Sequence, residues 1–132
     1  MNMTATNCDI GNVILGNTQF EDGVLVFAGA TTAKAGTILA RDSVSNKYVL
    51  FVKGGTTNAN GMPKAILTYD VTATAAGDKP IRAAIEGQFR KERLIIAADG
   101  NATNVDAAVL DALRDYGLVS ISVKQLSTYD NQ

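Results

Sequence analysis

Five groups of residues in this chain have types and spacings that could carry chemistry, and each lacks a member that the chemistry needs. Gly29, Ala30, Thr31, Thr32, Ala33 and Lys34 superficially resemble a phosphate-binding loop. That loop requires a second glycine and a Ser or Thr directly after the lysine, to offer backbone donors to phosphate and a hydroxyl to magnesium; both are missing here. Asp106, Asp111 and Asp115 suggest a metal or acid pair, but the first belongs at a helix start and the others fall on or near the polar side of that helix. Cys8 is the only cysteine, so no intramolecular disulfide forms, and no His or Lys stands beside it in sequence to activate the thiol. Asn101, Ala102 and Thr103 form a glycosylation sequon, yet Met1 to Asp9 carries no basic residue before an apolar run. With no secretory signal expected, the sequon is helix-start chemistry.

Arg90, Lys91, Glu92 and Arg93 make the densest charge cluster, directly after Phe89. It is short and internally offset by Glu92, whereas nucleic-acid binding wants a broad basic surface with stacking aromatics. The run is therefore expected to be a solvated loop or a rim ion pair, with no nucleic-acid partner. The chain has no His at all. No catalytic constellation, metal site or cofactor site is expected, which favours a binding or structural protein over an enzyme.

The elements that must position any binding surface come next. A chain of 132 residues is one domain's worth and can bury roughly two-thirds of its unfolded surface. Hydrophobic residues are 46%, charged residues 19% and the net charge is −1, so neither disorder nor a polybasic binder is indicated. The longest apolar stretches, Leu94 to Ala98 and Gly23 to Ala30, fall far short of the ~20 residues a membrane span needs. No membrane partner is expected.

Two regions differ in charge. Residues 1–33 hold Asp9, Glu21 and Asp22 but no Lys or Arg, a balance of −3, which leaves +2 for residues 34–132. The first is expected to be an extended acidic arm, since Val13 to Leu15 and Val24 to Phe27 are separated by Gly, Asn, Thr and Gln that support no helical period. The second is expected to be a small β-rich domain, with strands at Thr37 to Ala40, Lys47 to Val52, Ala65 to Val71, Ile81 to Phe89 and Leu118 to Lys124. Turn chemistry separates them at Asp42 to Asn46, Gly54 to Pro63 and Ala75 to Pro80. One helix is expected where Val105, Ala108, Val109, Ala112, Leu113 and Tyr116 share a face, capped by Thr103 or Asn104 and ended by a left-handed Gly117. Leu110 lies beside that stripe, as an intersubunit contact or the edge of the core.

Taken in order, these landmarks resemble the bacteriophage lambda-like head decoration proteins, the small cement proteins of tailed-phage capsids. The series starts at Ala35, Gly36, Thr37, Ile38, Leu39, Ala40, Arg41 and Asp42. It continues through Tyr48 to Val52, the Gly/Thr/Asn loop from Gly54 to Gly61, and Ala65, Ile66 and Leu67. Gly87, Gln88, Phe89 and Arg90 then match a Gly-x-Phe-Arg strand, before the helical stretch and Val119 to Val123. The resemblance covers about Ala35 to Val123.

It implies a mainly β, β-clip-like domain with one short helix behind an extended N-terminal arm. It further implies a homotrimer at local threefold positions on the outer surface of an expanded head, in contact with the major capsid protein, made in the host cytoplasm and resident in the virion. In that reading the arm adds a strand to the capsid protein. The residues expected to contact the capsid are Ile10, Val13, Ile14, Leu15, Phe20, Val24, Val26 and Phe27, with Phe20 and Phe27 as anchors. Two rival functions remain on sequence grounds: another virion subunit of tail tube or baseplate, and a carbohydrate- or ligand-binding β-clip domain.

Overall fold

The structure, a computed structural model, describes residues 13–121. Along them run β1 (Gln19–Phe27), β2 (Thr31–Ala33), β3 (Ile38–Arg41), β4 (Tyr48–Leu50), β5 (Pro63–Ile66), β6 (Val71–Ala73), β7 (Gly77–Arg90), α1 (Ala107–Asp115) and β8 (Leu118–Ile121). The protein is mainly β with one α-helix among the described residues, as the sequence predicts. Six strands form a sheet in the order β1-β4-β3-β5-β7-β8, and β1 also pairs with β7, which closes the sheet into a small barrel. β2 and β6 form a separate two-stranded ribbon.

Apolar residues at consecutive positions explain the closure. Neighbouring residues in a strand point to opposite faces. Ile38 belongs to one buried cluster and Leu39 to the other; Ile66 and Ala65 divide the same way, as do Ala84 and Ala83. A sheet that is apolar on both faces must be covered on both. One face packs beneath α1 through Phe89, Leu94, Val109, Leu113 and Leu118. The other gathers Leu25, Phe27, Tyr48, Leu67 and Ile81.

Paired strands lie on both sides of the division drawn at Ala33 and Lys34. β1 pairs with β7 without interruption from Phe20 opposite Ala84 to Phe27 opposite Gly77, and β2 pairs with β6 through Thr31 to Ala33. Both precede residue 34 yet belong to the folded body, because β1 carries two side chains, Leu25 and Phe27, that the core requires.

Other departures have local causes. The stretch Ala65 to Val71, expected as one strand, splits into β5 and β6 at residues 67–70, where the Asp70 carboxylate accepts from the Ala35 N–H at 2.8 Å. The expected turn from Ala75 to Pro80 gives way at Gly77 to the start of β7. Pro80 is tolerated there because that part of β7 pairs only with β1 among the described residues, while β5 meets β7 further on at Ala84, so no ladder bond is lost on the open side.

The helix lies where the apolar stripe predicts, with Val109 and Leu113 buried and Leu110 packed at the core's edge. Its cap is Asp106, not Thr103 or Asn104. Asp106 is extended and its Oδ1 accepts from the Val109 N–H at 3.2 Å, while the Thr103 N–H is engaged by Asn101 and the Asn104 amide by Asp99. Gly117 ends the helix in the left-handed region at φ 83°. Asp106→Ala is therefore expected to lower the melting temperature by less than any core truncation, with loss of helical signal in circular dichroism; Asp106→Asn, which keeps an acceptor, should recover most of it. β8 is described as far as Ile121; the predicted continuation to Lys124 lies outside the described residues.

Candidate functional site

The residues ahead of β1 are threaded along the last part of β7. The Leu15 N–H donates to the Gln88 carbonyl at 2.9 Å and the Arg90 N–H to the Val13 carbonyl at 2.7 Å. Between this clip and β1 the chain bulges, and the Thr18 hydroxyl donates back to the Gly16 carbonyl at 2.9 Å. The bulge leaves no space at Gly87, where a Cβ would lie 2.8 Å from both the Asn17 carbonyl oxygen and the Thr18 hydroxyl. On the opposite edge of β7, β8 runs parallel with Leu118 opposite Gly87 and Ile121 opposite Arg90. Residues 13–15 and β8 thus flank one strand end.

The residues expected to grip a partner are dispersed. Val13 and Phe27 are buried in the protein's own core, at 6% and 2% exposure. In the described structure both side chains serve the core. Ile14 packs at the edge of the first cluster, and Leu15, Val24 and Val26 are partly buried. Phe20 is exposed at 37%, with the Arg82 guanidinium 5.6 Å from its ring centre. Ile10 and Cys8 lie outside the described residues.

The barrel is closed on its other side by little backbone and much side chain. β1 and β4 meet at a single pair, Leu25 opposite Tyr48. Around it Arg41 forms an ion pair with Glu21, the Tyr48 hydroxyl donates to Glu21 Oε1 at 2.6 Å, and Arg41 Nη2 donates to the Tyr48 hydroxyl at 2.8 Å. The Tyr48 ring lies against the Cα of Gly23, where a Cβ would meet the ring at 2.7 Å. The Tyr48 hydrogen bond, chiefly, with help from Arg41, holds the Glu21 carboxyl below its ordinary value of 4.5. Burial, with the hydrogen bond to Glu21, pushes the Tyr48 phenol up from 10.0.

The sign for Glu21 follows from linkage. A carboxyl with a lowered folded pKa contributes stability that is fully present above the unfolded value near 4.5 and is lost as pH falls through the folded one. Since Glu21 is 42% exposed, solvent screening limits the effect to about 1 kcal/mol or less. Melting temperature should thus fall from pH 6 to pH 3 more steeply in the native chain than in Glu21→Gln.

No group of three or more His, Cys, Asp or Glu is placed to hold a metal ion among the described residues. The phosphate-loop look-alike resolves into β2, an extended strand rather than a loop leading into a helix. Lys91 to Arg93 form a single 3-10 turn. A cleft of about 160 Å³ is lined by Thr31, Thr32, Lys34, Thr37 and Ile95 among others, and none of these is a titratable pair or a nucleophile with a base beside it. No described helix is long and apolar enough to cross a membrane.

The exposed large apolar residues other than Phe20 were not singled out in the sequence as contacts. They are Val44, Val52, Met62 and Tyr69. The signal available was an apolar residue standing alone in turn-rich polar text, as with Val44 between Ser43 and Ser45 and Met62 between Gly61 and Pro63.

What remains is a chemically quiet β body whose distinctive features are a leading segment clipped to a strand and isolated apolar residues on turns. No individually curated protein matches the chain. The family profile described as bacteriophage lambda head decoration protein D matches residues 5–118, far more than half of the sequence, and takes in the clip, β1, the barrel and α1. Since that match runs from the segment ahead of β1 to the start of β8, the chain belongs to the bacteriophage lambda head decoration protein D family.

Proposed function

We propose that this chain is a capsid cement protein: a homotrimer that sits at local threefold sites on the outer surface of the expanded head and stabilises it by binding the major capsid protein. The family match carries the reading. The proposed mechanism is linkage. A protein that binds the expanded shell, and binds its compact precursor or ruptured form less well, shifts the balance toward the intact expanded state, and no chemical step is needed.

The proposed contact is strand addition by the chain ahead of the clip, residues 1–12 with Ile10, continued by Ile14 and Leu15; Phe20, Val24 and Val26 lend exposed or partly exposed apolar surface on β1. Each added backbone hydrogen bond contributes roughly 0.5–1.5 kcal/mol after exchange with water. A five-residue pairing therefore reaches several kcal/mol per arm, and three arms on one trimer reinforce each other through effective concentration.

Co-sedimentation with purified expanded heads and with unexpanded precursors tests this. The full chain should bind expanded heads preferentially and raise the temperature at which they rupture. A chain lacking residues 1–12 should keep its own melting temperature and lose at least about tenfold in affinity for heads. Equal binding to both shells, or full affinity without residues 1–12, refutes the mechanism. Rings or tubes formed by the purified protein alone would favour the tail-subunit alternative.

A further inference from the structure

The lysines and arginines of the described body divide into those that are engaged and those that are not. Arg41, Lys47, Lys53 and Arg114 are in ion pairs, Lys64 and Arg82 lie over aromatic rings, and Arg90 has a contact of its own. Four side chains are left without a partner among the described residues: Lys34, Lys79, Lys91 and Arg93. Three of these four are gathered in one place. Lys34 and Arg93 line a single cleft of about 380 Å³, and Lys91 stands on the same 3-10 turn as Arg93. All three are exposed.

The carboxylates nearby do not answer them. Asp70 and Glu92 also line the cleft, and Asp99 directly precedes its Gly100. The Asp70 carboxylate accepts from the Ala35 N–H at 2.8 Å, that of Asp99 accepts from the Asn104 side-chain amide at 2.8 Å, and Glu92 is already engaged. Like charges held together without a counter-charge repel each other, and that repulsion is relieved when a surface of opposite sign is brought against them.

The position of the cleft says what would reach it. Val13 is part of its lining, and the Val13 carbonyl is the acceptor for the Arg90 N–H, so the chain that leads to residues 1–12 departs from the cleft's edge. A shell strand added to those residues sets its neighbouring side chains beside Lys34, Lys91 and Arg93. No aromatic residue lines the cleft, which speaks against nucleic acid, whose bases need stacking surfaces. The unpartnered amines and guanidinium call instead for carboxylates.

We propose that this cleft is the electrostatic half of the capsid contact, where Lys34, Lys91 and Arg93 receive acidic side chains of the major capsid protein beside the strand added by the arm. The inference rests on the cement reading above and adds the surface of the body that faces the shell and the chemistry of the shell residues it meets. Co-sedimentation with purified expanded heads at about 50 mM and about 300 mM salt would compare the native chain with Lys34→Glu, Arg93→Glu and the control Lys79→Glu. The control makes the same change at the remaining unpartnered cation, on β7 opposite Leu25. Lys34→Glu and Arg93→Glu should each melt like the native chain, bind heads about tenfold or more weakly at the lower salt, and show a flatter salt dependence. Lys79→Glu should stay within about threefold of native.

A native chain that does not bind expanded heads overturns the cement reading and this contact together. Native binding, with Lys34→Glu and Arg93→Glu no weaker than Lys79→Glu, overturns the contact alone. If those two variants lower the protein's own melting temperature, and do so only while residues 1–12 are present, the cations pair with Asp9 of the chain's own arm and the assignment to the capsid protein is wrong.

Discussion

Replacing Gly36 with alanine is expected to cost more than about 3 kcal/mol, a fall in melting temperature on the order of 10 °C or more. Gly36 has φ 99°, a conformation hostile to any Cβ, and the added methyl would fall on the backbone carbonyl oxygen of Arg93. Neither neighbour can give way. The Gly36 N–H donates to the Leu67 carbonyl at 2.6 Å, and its own carbonyl accepts from the Ile95 N–H at 2.8 Å, so the residue is held from both sides. Next to it, Thr37 is buried at 2% with its hydroxyl donating to the Lys34 carbonyl. Gly29→Ala serves as the control: nothing lies within 4 Å of the added carbon and φ is not positive, so stability should be unchanged or slightly higher. Thermal melts of the two variants check the pair. A Gly36→Ala protein that melts within 2 or 3 °C of the native one, on a scale of about 4 °C per kcal/mol, would contradict this account of Gly36.

The second large effect separates core from contact among residues of similar chemistry on one strand. Phe27→Ala should cost about 3–5 kcal/mol, the range for truncating a buried aromatic, because Phe27 is 2% exposed and packs in the same buried cluster as Leu25, Leu39, Tyr48 and Ile81. Phe20→Ala, seven residues earlier on β1, should change stability far less, since its ring is 37% exposed and touches the Arg82 guanidinium. Denaturant melts read the difference directly. Similar costs for the two would mean that β1 is not anchored as described. For head binding the order inverts: Phe20→Ala remains folded and can report on contact, whereas any loss in Phe27→Ala is a folding defect.

Much of the barrel was legible because its signals are local. Thr37 to Ala40 and Lys47 to Val52 appear within one or two residues as β3 and β4, since short apolar runs bounded by Asp, Ser, Asn and Gly leave little alternative to a strand. The helix was legible from the spacing of Val105, Val109 and Leu113. Its cap was not, because Thr103, Asn104 and Asp106 are all competent acceptors and only the backbone path selects among them. β1 was the least legible strand. Its residues suit an extended arm and a core strand equally, and what distinguishes them is a pairing with β7 fifty or more residues away, which periodicity cannot reveal. The same holds for the clip at Val13 and Leu15. The stretch from Ala65 to Val71 was read as one strand because the bend at residues 67–70 depends on Asp70 reaching Ala35, again a distant contact. Val44 and Met62 went unnoticed for a different reason: one apolar residue in a turn carries no periodic signal at all.

The placement of the leading segment has a mechanical consequence. It runs antiparallel to β7 with Val13 beside Arg90, so a pull on Val13 along the axis of β7 loads these bonds lengthwise. Hydrogen bonds loaded in that direction resist together, in shear, rather than parting one after another as they would if peeled from the side. If the residues ahead of Val13 hold the shell as proposed, tension on them would be shared by the bonds at Val13 and Leu15 and by the long β1–β7 ribbon behind them, which is the geometry of a rivet shank rather than of adhesive tape.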